Sequence, residues 1–269
     1  MIRRAYYRGR DYRHASTIEE LRRVAARHVP RFTMEYIEGG AEQEVTLRRN
    51  REAFEDVRLV PRALVDVGVR DLSVDLFGTR HALPIVIAPT GGNGMMRHRG
   101  DYALAAAAAS AGIPFTLSTV STALVEDLAA KTAGCVWFQI YNMRHREFWH
   151  RLVGRADQAG CQALVLTTDV PLYGNREWDQ RSYVGPGQLS WRSKFEVLRR
   201  PKWLLEVMLL HGQPRFENLA EVLPSGDTRA VQGAKFVGDL LDPTLNWDDV
   251  ARLRDQWKKP FLLKGLLAL

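Results

Sequence analysis

Short apolar runs alternate with helical patterns along this chain, and each run closes on polar or glycine residues. "PIVIAPTGG" (84–92) leads into the alanine-rich "DYALAAAAASAG", whose end is punctuated by Gly112 and Pro114. "PFTLSTVS" (114–121) precedes "TALVEDLAAKTAG", and "CVWFQIY" (135–141) precedes "HREFWHRLVGRADQAG". "ALVLTTDVP" (163–171) follows, and "PFLLKG" (260–265) comes last. Strands alternating with helices predict βαβ units and a parallel sheet, because parallel neighbours need a long crossover between them. Strands of that kind are covered on both faces, so they read as unbroken apolar runs.

The informative feature is where the runs stop: at Thr90, at Ser118 and Thr119, at Gln139 and Tyr141, at Thr167 and Asp169, and at Lys264. In a (β/α)8 barrel the carboxyl ends of the strands form the mouth, where active sites sit. One polar strand end is ordinarily the start of a solvated loop. A succession of them predicts a lined pocket. The expected fold is α/β of the (β/α)8 TIM-barrel kind, here an incomplete barrel of about five strands preceded by helices and forming one domain over residues 1–269.

Ahead of the first strand, "STIEELRRVAARHV" carries a capping box of Ser16 with Glu19 and an apolar stripe at Ile18, Leu21, Val24 and Ala25. Pro30 opens a second helix that Gly39 and Gly40 close, and "EVTLRRNREAF" reads as a third. About ninety residues then separate the fourth run from the last, too many for an ordinary barrel connection. Within them, residues 187–225 read as a basic amphipathic insert. It has a capping box at Ser193 and Glu196, and Pro201 restarts a helix that Gly212 ends. The run "WLLEVML" is too short to cross a bilayer. Trp191, Trp203, Leu204, Leu205, Met208 and Leu209 lie beside Arg192, Lys194, Arg199, Arg200 and Lys202. That composition suits an interfacial helix pair on an anionic membrane, and equally suits packing on the barrel or on a neighbouring subunit.

The net charge of +7 is concentrated here: from Gly187 to Arg215 there are six Lys or Arg against two Glu. No nucleic-acid-binding motif accompanies that charge, so nucleic acid is not an expected partner. Cys135 and Cys161 each sit beside an apolar run, which predicts buried, inert thiols and neither disulfide nor metal site. The arginine-rich start lacks the apolar core of a secretory signal.

Taken together, "YIEGGAEQEVTLRRNREAF", "PIVIAPTGGNG", "GIPFTLSTVS", "WFQIY", "LVLTTDVPLYGNRE", "NWDDVARLRDQW" and "FLLKGLL" resemble the FMN-dependent α-hydroxy-acid dehydrogenase and oxidase family, in order, from about Thr17 to the last residue. "EGGAE", "PTGGNG" and "TTDV" are most similar to its membrane-associated mandelate and lactate dehydrogenases, which carry a membrane-binding segment where the basic insert lies. The resemblance implies FMN in the barrel mouth. Thr90 and Gly91 would lie against the flavin ring, and Ser118, Gln139 and Thr167 would hydrogen-bond it. Lys264 would stabilise the negative charge that develops as the ring is reduced. Tyr36 and Arg176 would hold the substrate carboxylate, Arg176 through its planar fork. Of the two catalytic candidates, Tyr141 would bond the substrate hydroxyl and Asp169 would orient the catalytic base.

The function so implied is FMN-dependent oxidation of a lactate- or mandelate-like 2-hydroxy acid to the 2-oxo acid. A quinone or another acceptor would take the electrons, and the whole protein would be a homo-oligomer, cytoplasmic and peripheral on the inner membrane. The family's histidine base stands before two glycines and an arginine. None of His14, His28, His81, His98, His145, His150 and His211 has that setting. The expectation is a truncated member, incomplete for catalysis. The alternative is a non-catalytic fragment acting only as a membrane- or partner-binding module. A flavin-binding barrel of different chemistry fits less well with Tyr36, Tyr141 and Arg176.

Overall fold

A computed structural model describes residues 5–185, 188–223, 229–230 and 237–266. Three helices come first: α1 (Ile18–His28), α2 (Arg31–Glu38) and α3 (Val45–Glu52). Pro30 caps α2 at its start and Gly39 at its end, as expected. The cap of α1 lies one residue later than the sequence suggests. Thr17 accepts from the Glu20 amide, and the Glu20 carboxylate, not that of Glu19, reaches back to the amides of Ser16 and Tyr7. Glu19 is instead taken up by Arg22 and Arg23. The expected apolar stripe is also corrected. Only Val24 is buried, while Ile18 is 85% exposed and Leu21 and Ala25 are open, and they line a groove of about 930 Å³ with Met34, Ile37 and Leu47.

A hairpin follows, β1 (Val74–Leu76) with β2 (Thr79–His81), turned by Phe77 and Gly78, both at positive φ. Then come α4 (Asn93–Met96), α5 (Gly100–Ala111), β3 (Phe115–Ser118), α6 (Val125–Lys131), β4 (Val136–Tyr141), α7 (Arg146–Gln158) and β5 (Ala163–Thr167). The next stretch holds α8 (Glu177–Gln180), a second hairpin β6 (Tyr183–Gly185) with β7 (Gln188–Leu189), α9 (Trp191–Leu198) and α10 (Pro201–Trp203). A wider π-type turn, Leu204–Leu209, continues α10. Last are α11 (Trp247–Gln256), started by a capping box of Asn246 with Asp249, and β8 (Phe261–Lys264).

β3, β4, β5 and β8 form one parallel sheet in that order, with the crossovers the alternating pattern requires. The first expected strand, 84–92, joins it only by a bridge from Ile87 to Phe115. Its main-chain bonds are Ile87 N–H to Pro114 O and Thr116 N–H to Ile87 O. Pro84 and Pro89 lack the amide hydrogens that a longer ladder would need.

Side chains alternate between the two faces of this sheet. Phe115, Leu117, Phe138, Ile140, Leu164 and Leu166 point outward into the main core, where Trp149, Leu152 and Val153 of α7 and Leu253 of α11 meet them. Trp137, Ala163 and Val165 point the other way and form a smaller cluster with Leu76 and Leu262. Cys161 lies fully buried, and burial pushes its thiol up to about 12; Cys135, partly buried, is also raised for the same reason. Cys161 is thus buried as expected, while Cys135 is only partly so.

One part of the insert packs on the preceding helices, and another part stays exposed. Its cap is Ser190, which accepts from the Ser193 amide; Ser193 instead donates its hydroxyl to Ser182 O. Trp203 and Val207 are buried against Val29, Phe32 and Met34, with the Trp203 and Phe32 rings edge to face at 5.9 Å. The Trp203 indole N–H donates to Met95 O at 2.8 Å. Met208 and Leu204 pack partly on the same cluster. Trp191, Phe195, Leu198, Leu205, Leu209 and Leu210 face outward, Trp191 at 83% exposed. Gly187, Pro224 and Ser225 of the expected insert lie outside the described residues.

Candidate active site

The inward face of the sheet changes character along its length. At the amino ends it carries Trp137, Ala163, Val165 and Leu262; at the carboxyl ends it carries Ser118, Gln139, Thr167 and Lys264. Register makes this one surface, since Ser118 pairs with Gln139, Tyr141 with Thr167, and Thr167 with Lys264. In strands of period two these inward positions share one face, and the polar ones among them are satisfied by one another.

Gln139 ties the surface together. Its amide oxygen accepts from the Ser118 hydroxyl at 3.1 Å and the Thr119 amide at 3.3 Å, and its amide nitrogen donates to Thr167 Oγ1 at 2.9 Å. Thr119 Oγ1 donates to the Gln139 carbonyl at 2.6 Å. Ser118, Thr119, Gln139 and Thr167 are all buried, so each needs such a partner.

Lys264 sits at the rim of this surface, its Nζ 3.3 Å from Asp169 Oδ1. Thr168 bonds the Lys264 carbonyl through both its amide and its hydroxyl. The next residue must be glycine: Gly265 has φ of 109°, and a Cβ there would lie 2.4 Å from Asp169 Cβ. Tyr141 is half-buried nearby. Burial, then the neighbouring Asp169 and Tyr173, push its phenol above the ordinary value, so it stays a hydrogen-bond donor at neutral pH.

Tyr36, from α2, donates to Gly91 O at 3.4 Å. Arg176 Nη2 donates to the Tyr36 carbonyl, and its guanidinium lies 5.3 Å over the Tyr36 ring. The structure thus brings Tyr36, Gly91 and Arg176 together, although they are far apart in sequence. A Cβ on Gly91 would lie 2.4 Å from Val120 Cγ2, which gives that glycine a packing reason of its own. Thr90 is exposed and bonds Asn93.

Sequence reading missed what holds this loop. Asn93 Nδ2 donates to Thr90 O and to Asp101 Oδ1, and Asp101 Oδ2 accepts from the amide and hydroxyl of Thr122. Asp101 is 1% exposed. Asp101 stands in the first turn of its helix, where an acidic residue is ordinary, so no signal in the sequence marks this role.

This chain matches the FMN-dependent dehydrogenase family over residues 25–269, and it belongs to that family. It is 39% identical over 255 residues to an L-lactate dehydrogenase of Caulobacter vibrioides, covering 94% of this chain and 66% of that one. It is 38% identical over 252 residues to the (S)-mandelate dehydrogenase of Pseudomonas putida, covering 93% and 63%. The chain therefore spans just under two thirds of the length of these relatives. The crystal structure of a monotopic membrane protein, (S)-mandelate dehydrogenase, superposes with a TM-score of 0.87 at 37% identity, over 95% of this chain and 67% of that one. The fold is that of the α/β barrel family expected, with the described sheet forming part of the barrel. The cofactor of the family is FMN. No helix among the described residues is long and apolar enough to cross a membrane.

Proposed function

We propose that this chain, as one domain, supplies the flavin-ring and substrate-carboxylate half of an FMN-dependent dehydrogenase for lactate- or mandelate-like 2-hydroxy acids, with a quinone-like acceptor. The observation that carries this is the row Ser118, Gln139, Thr167 and Lys264 along four adjacent strand ends. The donor set fits the group. Two hydroxyls and an amide offer both donors and acceptors to a planar ring edge bearing carbonyls and an N–H, and a cation stands at their rim. FMN, when bound, supplies the electron-accepting ring.

The chain's own residues position the ring and the acid. Lys264 opposes negative charge at the mouth and is itself steadied by Asp169. Arg176, held against the Tyr36 ring and carbonyl, grips a carboxylate with its fork. Tyr141 keeps its proton and donates it in a hydrogen bond to the substrate hydroxyl. With FMN present, a 2-hydroxy acid such as mandelate should perturb the flavin spectrum saturably. Arg176→Lys keeps the charge but loses the fork, and should weaken that binding by about 1.5–3 kcal/mol, or roughly 10–100-fold. Unchanged affinity would remove Arg176 from the carboxylate site.

A second reading concerns the insert, which we take to be a peripheral membrane anchor on an anionic surface. Its support is the outward set Trp191, Phe195, Leu198, Leu205, Leu209 and Leu210, with Lys194 4.7 Å over the Trp191 ring and Arg199 4.9 Å over the Phe195 ring. Amphipathic surfaces of this kind lie in the interface, and each basic residue near it contributes about 1 kcal/mol. Co-sedimentation with anionic vesicles should fall with added salt and with Trp191→Ser plus Leu209→Ser. Binding unchanged by that pair would rule the anchor out.

A further inference from the structure

Where the end of the insert returns to the barrel, the rings of His98 and His211 stack face to face, with centroids 3.8 Å apart and planes 21° from parallel. His98 lies between α4 and α5; His211 follows the π-type turn. The stack borders a cleft of about 250 Å³. Three segments bring cations to this cleft: Arg99 from the start of α5, Lys131 from the end of α6, and Arg215 from beyond the insert.

The acidic groups facing it match them in number, and one is already satisfied. Asp127 is ion-paired with Lys131 and accepts from the Tyr102 hydroxyl. Glu217 lines the cleft, and Glu206 bears on His98 from the π-type turn. Arg99 and Lys131 also share the face of the Tyr102 ring, at 4.5 and 5.8 Å. With both imidazoles neutral, the three cations balance Asp127, Glu217 and Glu206; with both protonated, the cleft carries an excess of two positive charges. Arg99 is further held in the left-handed region, φ 57°, a conformation that a side chain other than glycine adopts only at a cost.

We propose that this cleft is a binding site for a tetrahedral oxyanion of the phosphate ester class, gripped by Arg99, Arg215 and the His98–His211 pair. The site stands independently of the flavin reading and lies at the root of the insert. Its ligand is therefore either the phosphate of a lipid headgroup or a soluble phosphate ester. Binding is linked to protons. Burial, then His211 and Arg99, hold His98 below its ordinary 6.5, with Glu206 opposing them. An anion in the cleft stabilises the protonated ring and raises that value. By reciprocity the anion binds more tightly as pH falls toward and below the ordinary histidine range.

Sulfate is the probe, because its charge does not change across that range. Histidine ring NMR of the 269-residue chain should show saturable shifts at His98 and His211, with half-saturation on the order of 1–10 mM near pH 6 and weaker binding near pH 7.5. His14 and His150 serve as internal controls and should not saturate. Arg215→Gln alone, and with Arg99→Gln, should weaken binding by about tenfold or more with unchanged far-UV circular dichroism. Displacement of sulfate by glycerol 3-phosphate identifies a soluble ester, and displacement by vesicles containing phosphatidic acid, but not by pure phosphatidylcholine, identifies a headgroup. Shifts shared equally by His14 and His150, shifts untouched by Arg215→Gln, or sulfate displaced by neither phosphate source would overturn the proposal.

Discussion

Supplied with FMN and a 2-hydroxy acid, the 269-residue chain should turn over at least about 10²–10⁴-fold more slowly than a full-length relative. That is the usual contribution of a positioned general base. A base must lie within hydrogen-bond reach of the substrate proton, and most of the described histidines are committed elsewhere or buried. His28 Nδ1 meets Val24 O, His150 Nδ1 meets Gln256 Oε1, and His98 and His211 stack on each other. His14 lies against the Tyr7 ring, His81 is buried in β2, and His145 sits exposed at the start of α7, after the Tyr141 strand end. Asp169, the acidic residue beside Tyr141, is ion-paired with Lys264. The assay follows reduction of an artificial acceptor against flavin-free and acid-free controls. Turnover near that of a full-length relative would show that a residue of this chain acts as the base.

Gln139→Leu should be the most damaging single change to the stability of the site. Leucine fills much the same volume but leaves the Ser118 hydroxyl, the Thr119 amide and the Thr167 hydroxyl without the partners described above. All three residues are buried, and an unsatisfied buried group costs about 1–3 kcal/mol. Partial relaxation brings the expected total to about 3–4 kcal/mol, a fall in Tm on the order of 10 °C for a chain of this size. Thr90→Val, at an exposed position, should move Tm by no more than about 1–2 °C. A Gln139→Leu variant as stable as the parent would mean that the network does not organise the strand ends.

The parallel sheet and its polar mouth were legible because two demands meet in the same strands. Burial on both faces forces Phe138 and Ile140 to be apolar, and partners at the strand ends permit Gln139. Details set by competition between near neighbours were not legible. Ser16 and Thr17 can each cap α1, and only the path of Glu20 back to the Ser16 and Tyr7 amides selects Thr17. The 3.6-residue period of the insert defines two faces but not which is covered. Contact with Phe32 and Met34 puts Trp203 and Val207 inside and leaves Leu205 and Leu209 out. The juxtaposition of Tyr36 with Arg176 depends on chain paths 140 residues apart, so only resemblance could join them beforehand.

The most direct test of the flavin-facing surface is a titration with riboflavin, which carries the ring without the phosphate and so reports on the strand ends alone. Quenching of its fluorescence by the chain should saturate. Lys264→Met, and separately Ser118→Ala with Thr167→Val, should each weaken the binding by about tenfold while far-UV circular dichroism is unchanged. Saturable riboflavin binding that both variants leave intact, or no saturable binding by the folded chain, would contradict the assignment of this sheet end to the flavin ring.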